Sequence, residues 1–303
     1  MPGTFASIPK NQIPGRLIFV INPISGGFDK SGIVGLIKKS FPGLPEDAFL
    51  FTNAKDSPAR LTDMIKTRAV DTVAVVGGDG TVNRIAGQML YSNIRLAIIP
   101  SGSGNGLARE LGLPSDASDA LQVIKSGRER VIDCGLANDA PFFCTAGAGF
   151  DAHVSGLFSG SKKRGFYNYC RITLSQVFGY RPQTYKILVN GNELVRESYM
   201  VTIANGSQFG NNAYIAPQAE LDDGLLDVCL IKPFPWQYLA GLIWRLFHRS
   251  IHLSRYYESF KTREVALTRE SPGFFHFDGE PVQFDKEIKI KIQAGALRVL
   301  VGI

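Results

Sequence analysis

Val73-Ala74-Val75-Val76-Gly77-Gly78-Asp79-Gly80-Thr81-Val82-Asn83-Arg84-Ile85-Ala86 decides how the rest of this chain reads. Four apolar residues run into Gly-Gly-Asp-Gly-Thr, and a segment with helical spacing follows. The apolar run reads as a buried parallel strand. Glycines at its end permit a turn closed to residues with a Cβ, and they let a ligand approach the main chain. Thr81 is the expected N-cap of the following helix. A helix that starts behind such a turn presents free N–H groups and a positive dipole end, which suit a phosphate. Asp79 conflicts with that, because a carboxylate beside a phosphate is repulsive unless a cation or a proton in transfer lies between them. The conflict points to Mg²⁺-nucleotide chemistry. In a bare glycine turn Asp79 is an ordinary capping residue. The strand–turn–helix setting favours the nucleotide.

Length and composition bound the rest. A chain of 303 residues predicts two domains, and 45% hydrophobic with 20% charged residues describes an ordinary globular protein. A net charge of +6 suits ATP, anionic lipid or nucleic acid. No nucleic-acid module motif occurs, so nucleic acid is discounted. Cys134, Cys144, Cys170 and Cys229 lie far apart without CxxC spacing, which predicts reduced thiols. Met1 to Lys10 has no apolar signal-peptide core, and no apolar run reaches membrane-spanning length. The expectation is a cytoplasmic protein that visits a membrane surface if its substrate is a lipid.

Residues 1–14 read as an irregular arm. Arg16 to Asn22 reads as a buried strand ending in Asn22-Pro23-Ile24-Ser25-Gly26-Gly27, a turn-rich loop that can offer polar groups to a nucleotide or serve as a plain connection. Helical spacing follows over 33–41 and 59–67, with a short strand over 48–51 that ends at Thr52. After the central strand, 95–99 is another strand. It opens into Pro100-Ser101-Gly102-Ser103-Gly104-Asn105-Gly106, a second glycine turn that fails the dinucleotide fingerprint. A helix over 117–124 and a strand over 130–134 complete the βα alternation. From Gly135 on, strands predominate: 142–145, 186–189, 194–197, 200–204, 226–231, 264–267, 274–277, 288–292 and 297–301. Asn190-Gly191 is a hairpin signal. The last strand can return to the first domain.

Two acidic segments stand out in this second half. Pro217-Gln218-Ala219-Glu220-Leu221-Asp222-Asp223-Gly224-Leu225-Leu226-Asp227 is first a turn, and a turn with carboxylates and carbonyls can also hold Mg²⁺. In Phe277-Asp278-Gly279-Glu280 two carboxylates flank a glycine at a strand end. They are either solvated acids of a hairpin or a pair facing one cleft. His276 reads as a packed or solvent-edge histidine.

The ordered set NPxSG, GGDGT, PSGSGN, DxG, GxGFD, PxAxxDDGxLD and DGE covers nearly the full chain. It resembles the diacylglycerol kinase, sphingosine kinase and bacterial lipid kinase superfamily, whose GGDG core NAD kinases share. Where many relatives carry an acid after the Asn of the second glycine turn, this chain has Gly106. The resemblance implies an N-terminal three-layer α/β nucleotide-binding domain over 1–135, completed by strand 296–303. An all-β sandwich-like domain for the lipid spans 136–295. It implies an ATP- and Mg-dependent kinase that phosphorylates a hydroxyl of a membrane lipid, a diacylglycerol or a sphingoid base.

By the same resemblance the nucleotide lies on Asn22, Pro23, Ile24, Ser25, Gly26, Thr52, Gly77, Gly78, Gly80, Thr81, Val82, Asn83, Gly102, Ser103 and Gly104. Asp79 acts at the transferring phosphate. Glu280, Asp278 or Asp79 takes the hydroxyl proton, with Glu280 favoured. Asp223 with the carbonyls of Glu220 and Leu225 holds a metal, and Asp133 and Asp151 stand near the lipid head group. An NAD kinase is the alternative, against which the DDGxLD and DGE segments argue. A non-catalytic relative is a third reading, against which the full acidic set argues. A homodimer is left open.

One apolar stretch, Pro233 to Arg249, contains both tryptophans and ends among Arg245, Arg249 and Arg255. Lys162-Lys163-Arg164 form another basic cluster. The stretch is either a core helix or an interfacial helix that docks on lipid.

Overall fold

A computed structural model describes residues 16–23, 30–52, 60, 62–63, 65, 70–161 and 165–303. The arm over 1–14, Ile24, Ser25 and Gly26, most of the helix read over 59–67, and Lys162-Lys163-Arg164 lie outside the described residues. The chain divides into two compact units, Met1–Ile132 with Gly295–Ile303, and Asp133–Ala294.

The first unit alternates strands and helices: β1 (Leu17–Ile21), α1 (Lys30–Ser40), β2 (Phe49–Phe51), β3 (Thr72–Gly77), α2 (Asp79–Ala86), β4 (Arg95–Pro100), α3 (Gly106–Glu110) and α4 (Ala117–Ser126). Its strands are parallel, in the order β2-β1-β3-β4, and residues at the end of the chain pair with β4, Val299 opposite Leu96. LIFVI of β1 and TVAVVG of β3 are buried along their whole length, as strands of a sheet covered on both faces are. The core around them holds Phe19, Ile37, Phe41, Ala74, Leu121 and Leu300. α4 starts where the Asp116 carboxylate accepts the N–H groups of Ser118 and Asp119, and it buries Ala120, Leu121 and Ile124. From β1 the chain steps to β2 on one side and then returns to β3 on the other, so the strand order reverses between β1 and β3. Asn22, Thr52, Gly78 and Ser101 follow the carboxyl ends of the four strands, the edge where open α/β sheets bind ligands.

The second unit is mostly antiparallel. β5 (Arg128–Ala137) enters it, followed by β6 (Ala140–Phe142), β7 (Thr145–Gly149), α5 (Phe150–Ser159), α6 (Phe166–Gln176), β8 (Gln183–Val189), β9 (Asn192–Ser198), β10 (Met200–Ala204) and β11 (Leu226–Ile231). Then come α7 (Leu239–Phe247), β12 (Tyr257–Thr262), β13 (Glu264–Arg269), β14 (Gly273–Phe277), β15 (Glu280–Phe284) and β16 (Glu287–Val301). One sheet runs β12-β11-β10-β7-β14-β15; the other places β13, β8 and β9 beside the first half of β16. β8 alternates buried and exposed residues, the pattern of a sheet with one face on the core. Phe142, Tyr185, Val201, Ile203, Phe275 and Ile288 fill the space between the sheets.

Asn190 and Gly191, at φ +49° and +78°, form the predicted two-residue hairpin turn, with Val189 opposite Asn192. The strands read over 288–292 and 297–301 are one strand of 15 residues, which passes Gly295 at φ +61° without ending.

Candidate active site

In the first unit the two glycine turns are built on each other. A Cβ on Gly102 would lie 2.6 Å from the Gly78 Cα, and one on Gly104 would lie 2.6 Å from Asp79 Oδ2. Gly102 is needed because backbone meets backbone there, and Gly104 because the Asp79 carboxylate fills the space, before any ligand is considered. Asp79 is the brace between them: Oδ2 accepts the N–H of Asn105 at 2.8 Å and Oδ1 that of Gly106 at 2.5 Å. Asn105, at φ +51° and ψ +47°, closes the second turn, its Oδ1 accepting Gly102 N–H and its Nδ2 donating to Gly102 O. Asp79, expected at the transferring phosphate, thus also ties the second turn to the first through two backbone donors.

Thr81 does not cap the helix. Gly78 does, in extended conformation, and α2 begins at Asp79. The Thr81 hydroxyl instead accepts from Asn22 Nδ2 at 2.8 Å, tying the end of β1 to the turn after β3. Gly80 and Asn83 are half-buried in α2, Val82 is in the core, Thr52 is buried, and Pro23 and Ser103 are exposed.

In the second unit the carboxylates separate by environment. Asp278 and Gly279, at φ +48° and +85°, are the two turn residues of the β14–β15 hairpin, with Phe277 opposite Glu280. The Asp278 carboxylate accepts backbone N–H groups of Phe143 (2.9 Å), Cys144 (2.8 Å) and Thr145 (3.0 Å). Glu280 is exposed and makes no side-chain hydrogen bond or ion pair among the described residues. Of the two, Glu280 has the carboxylate available to a proton.

Asp133 and Asp151, expected near a lipid head group, are both buried and engaged in the fold. Asp133 Oδ2 accepts Gly224 N–H at 2.7 Å and so holds the turn before β11. Asp151 accepts from Ala152 N, from Thr202 Oγ1 at 2.9 Å and from His276 Nε2 at 3.0 Å. Gly279 N–H points at His276 Nδ1, 3.4 Å away, which leaves the ring hydrogen on Nε2 toward Asp151. His276 thus links the buried carboxylate to the hairpin that carries Glu280.

The turn over 220–227 already contains a cation. Lys261 Nζ lies 2.8 Å from Asp223 Oδ2 and 2.9 Å from Asp227 Oδ2, and Asp223 Oδ1 accepts Leu225 N–H. Burial raises the Asp227 pKa against the pull of Lys261, while the two carboxylates outweigh burial and raise that of Lys261. A divalent ion on Asp223 would sit beside the ammonium on the same oxygen. As arranged, Glu220, Asp223 and Leu225 do not fit a resident Mg²⁺; the lysine does the neutralising.

A thermal test follows from this arrangement. Chelator leaves the Tm of the protein unchanged, and Lys261→Met lowers it by roughly 2–4 °C at pH 8. Without the ammonium the folded Asp227 pKa rises further above its unfolded value, so the folded state holds the extra proton as pH falls. The deficit is therefore largest above the raised pKa and shrinks toward pH 5. A chelator-sensitive Tm would restore the metal.

Asn105 and Lys261 escaped the sequence reading. Asn105 stands in a quoted motif, and its left-handed position after a Gly-x-Gly turn was the available signal. Lys261 lies 38 residues from Asp223, and nothing local marks it.

Residues 16–137 match the family model described as "Diacylglycerol kinase catalytic domain", and residues 144–301 match that described as "YegS C-terminal NAD kinase beta sandwich-like domain". A protein of Chromohalobacter salexigens named "Probable lipid kinase YegS-like" is 32% identical over 181 residues, 58% of this chain and 58% of that protein. The match thus spans little more than half the length of that relative. A Mycobacterium tuberculosis protein named "Diacylglycerol kinase" is 27% identical over 228 residues, 72% of this chain and 74% of that one. A crystal structure of a diacylglycerol kinase from Bacillus anthracis superposes with a TM-score of 0.69 at 19% identity, covering 95% of this chain and 97% of that one. An NAD kinase from Archaeoglobus fulgidus, in complex with ATP, superposes at 0.52 and 15% identity over 93% and 92%. At such identities both show the fold: an α/β domain followed by a β-sandwich-like one.

Proposed function

Since the chain belongs to the family that joins a diacylglycerol kinase catalytic domain to a YegS C-terminal sandwich, we propose that it transfers the γ-phosphoryl group of ATP to a hydroxyl of a membrane lipid. The observation that carries this is the Asp79 brace, which fixes two glycine turns against each other at the ligand edge of a parallel sheet. Phosphoryl transfer needs positioning and charge neutralisation with little covalent work by the protein. ATP enters as its Mg²⁺ complex, the ion being part of the substrate. N–H groups of the 77–81 and 102–104 turns, other than those of Thr81 and Gly102 that donate within the protein, hold the phosphates, and Asn22 and Thr81 steady the turn after β3.

The lipid oxygen bonds to the γ-phosphorus as the bond to the β-phosphate oxygen breaks, releasing ADP. The Glu280 carboxylate takes the hydroxyl proton. Asp278 shapes the hairpin that presents it. The names of the relatives support a lipid acceptor, a diacylglycerol or a related hydroxylated lipid. The shared NAD kinase fold supports a second reading, with NAD as acceptor. Incubation with labelled ATP, Mg²⁺ and a total lipid extract, beside a parallel incubation with NAD, separates them. Label in the organic phase is expected; label in NADP alone would replace the lipid with the dinucleotide.

A further inference from the structure

Helix α7 is amphipathic the wrong way round for a helix that faces water. Its exposed positions Ala240, Ile243, Trp244 and Phe247 fall at i, i+3, i+4 and i+7, one continuous apolar face. Trp244 is 56% exposed, whereas Leu242 on the opposite side is 8% exposed and belongs to a core with Ile215, Ile251 and Tyr257. Outside the helix Trp236, which packs on exposed Phe178 at 4.7 Å between ring centres, and Leu253, 65% exposed beside Arg245 and Gly241, add further apolar surface. Single exposed apolar side chains need no explanation, but a contiguous patch does.

The charge along this stretch of the chain has one sign. Between Asp227 and Glu258 there is no acidic residue, while Lys232, Arg245, Arg249 and Arg255 all lie in that interval. The two bounding acids are already paired, Asp227 with Lys261 and Glu258 with Arg196. The arginines are held beside aromatic rings: Arg249 lies over Tyr214 at 4.1 Å, and Arg255 over Tyr238 and Tyr256 at 4.8 Å each. Arg245 and Arg255 also line an open cleft of about 360 Å³ with Tyr238 and Leu253.

We infer that this face of the second unit docks on an anionic bilayer, with Trp244, Phe247, Trp236 and Leu253 entering the head-group boundary and the arginines meeting lipid phosphates. Indole rings and arginine suit that boundary, where one end of a side chain is apolar and the other wet. A second copy of the chain is the wrong occupant, because it would set one arginine cluster against another. The inference deepens the lipid-kinase reading and rests on it for a substrate that lives in a bilayer.

The test is co-sedimentation, without ATP, with vesicles of phosphatidylglycerol and phosphatidylcholine in equal parts, and with phosphatidylcholine alone. The protein is expected to bind the anionic vesicles and to release them at high salt. Arg249→Gln with Arg255→Gln lowers the partition coefficient roughly 25-fold, about five-fold for each basic residue removed. Trp244→Ser with Phe247→Ser lowers it at least about tenfold without lowering Tm, because both side chains are already exposed. Unchanged vesicle binding in both double variants overturns the inference. So does a dimer that Trp244→Ser with Phe247→Ser abolishes, in a protein that binds no vesicles. Turnover of a short-chain, water-soluble diacylglycerol is measured alongside. Normal turnover without vesicle binding sinks the docking alone, and vesicle binding without turnover on any lipid sinks the kinase alone.

Discussion

Asp79→Asn is expected to leave a folded protein whose turnover has fallen about 10³-fold, the upper end of what one preorganised set of donors supplies. The two carboxylate oxygens of Asp79 each accept a backbone N–H from the second glycine turn. An amide offers one oxygen and one NH₂ group, so one of those N–H groups would face another donor. The 102–106 turn must then move, and Gly102 loses its fixed approach to Gly78. Affinity for ATP falls together with kcat, while Tm drops by only a few degrees, because β1, β3 and β4 keep their pairing. Steady-state kinetics against ATP, with circular dichroism as a check on folding, reads both. Full turnover in the folded variant would remove the braced turns from the mechanism.

Glu280→Gln is expected to lower kcat by about 10²–10⁴-fold, the usual worth of a positioned base, with the KM for ATP unchanged. The amide keeps the shape and loses the ability to accept a proton. Asp278→Asn is the contrast. Its carboxylate holds the N–H groups of Phe143, Cys144 and Thr145, and the amide leaves at least one opposite a donor. That costs about 1–3 kcal/mol for each unsatisfied group and shows first as a lower Tm. The assignment reverses if Asp278→Asn folds normally and loses turnover while Glu280→Gln keeps it.

These two aspartates mark how far the sequence could be read. The apolar run into Gly-Gly-Asp-Gly, the Asn190-Gly191 and Asp278-Gly279 hairpins and the two-unit alternation are local patterns, and local patterns fix strands and turns. Which donors surround a carboxylate is a tertiary matter. Asp278 meets partners more than 130 residues away, and Asp151 meets His276 across 125. In sequence, Asp133, Asp151, Asp223, Asp278 and Glu280 are equivalent acids beside turns. In the fold, the first four are held by N–H groups, a hydroxyl, a histidine or a lysine, and Glu280 alone of the five has no such partner among the described residues. The aromatic helix was ambiguous for the same reason, since its composition fits a core as well as a surface. Only packing shows that Leu242 faces inward and Trp244 outward.

The parallel pairing of Val299 with Leu96 also bears on the order of synthesis. Residues 295–303 belong to the first unit, although 162 residues of the second unit separate them from Ile132. While the ribosome is still making the second unit, β4 has an open edge of buried-type residues, the kind of edge that pairs with strangers. The first unit, though translated first, is therefore completed last. A recombinant piece ending at residue 137 should aggregate unless the strand 295–301 is grafted after it through a short linker.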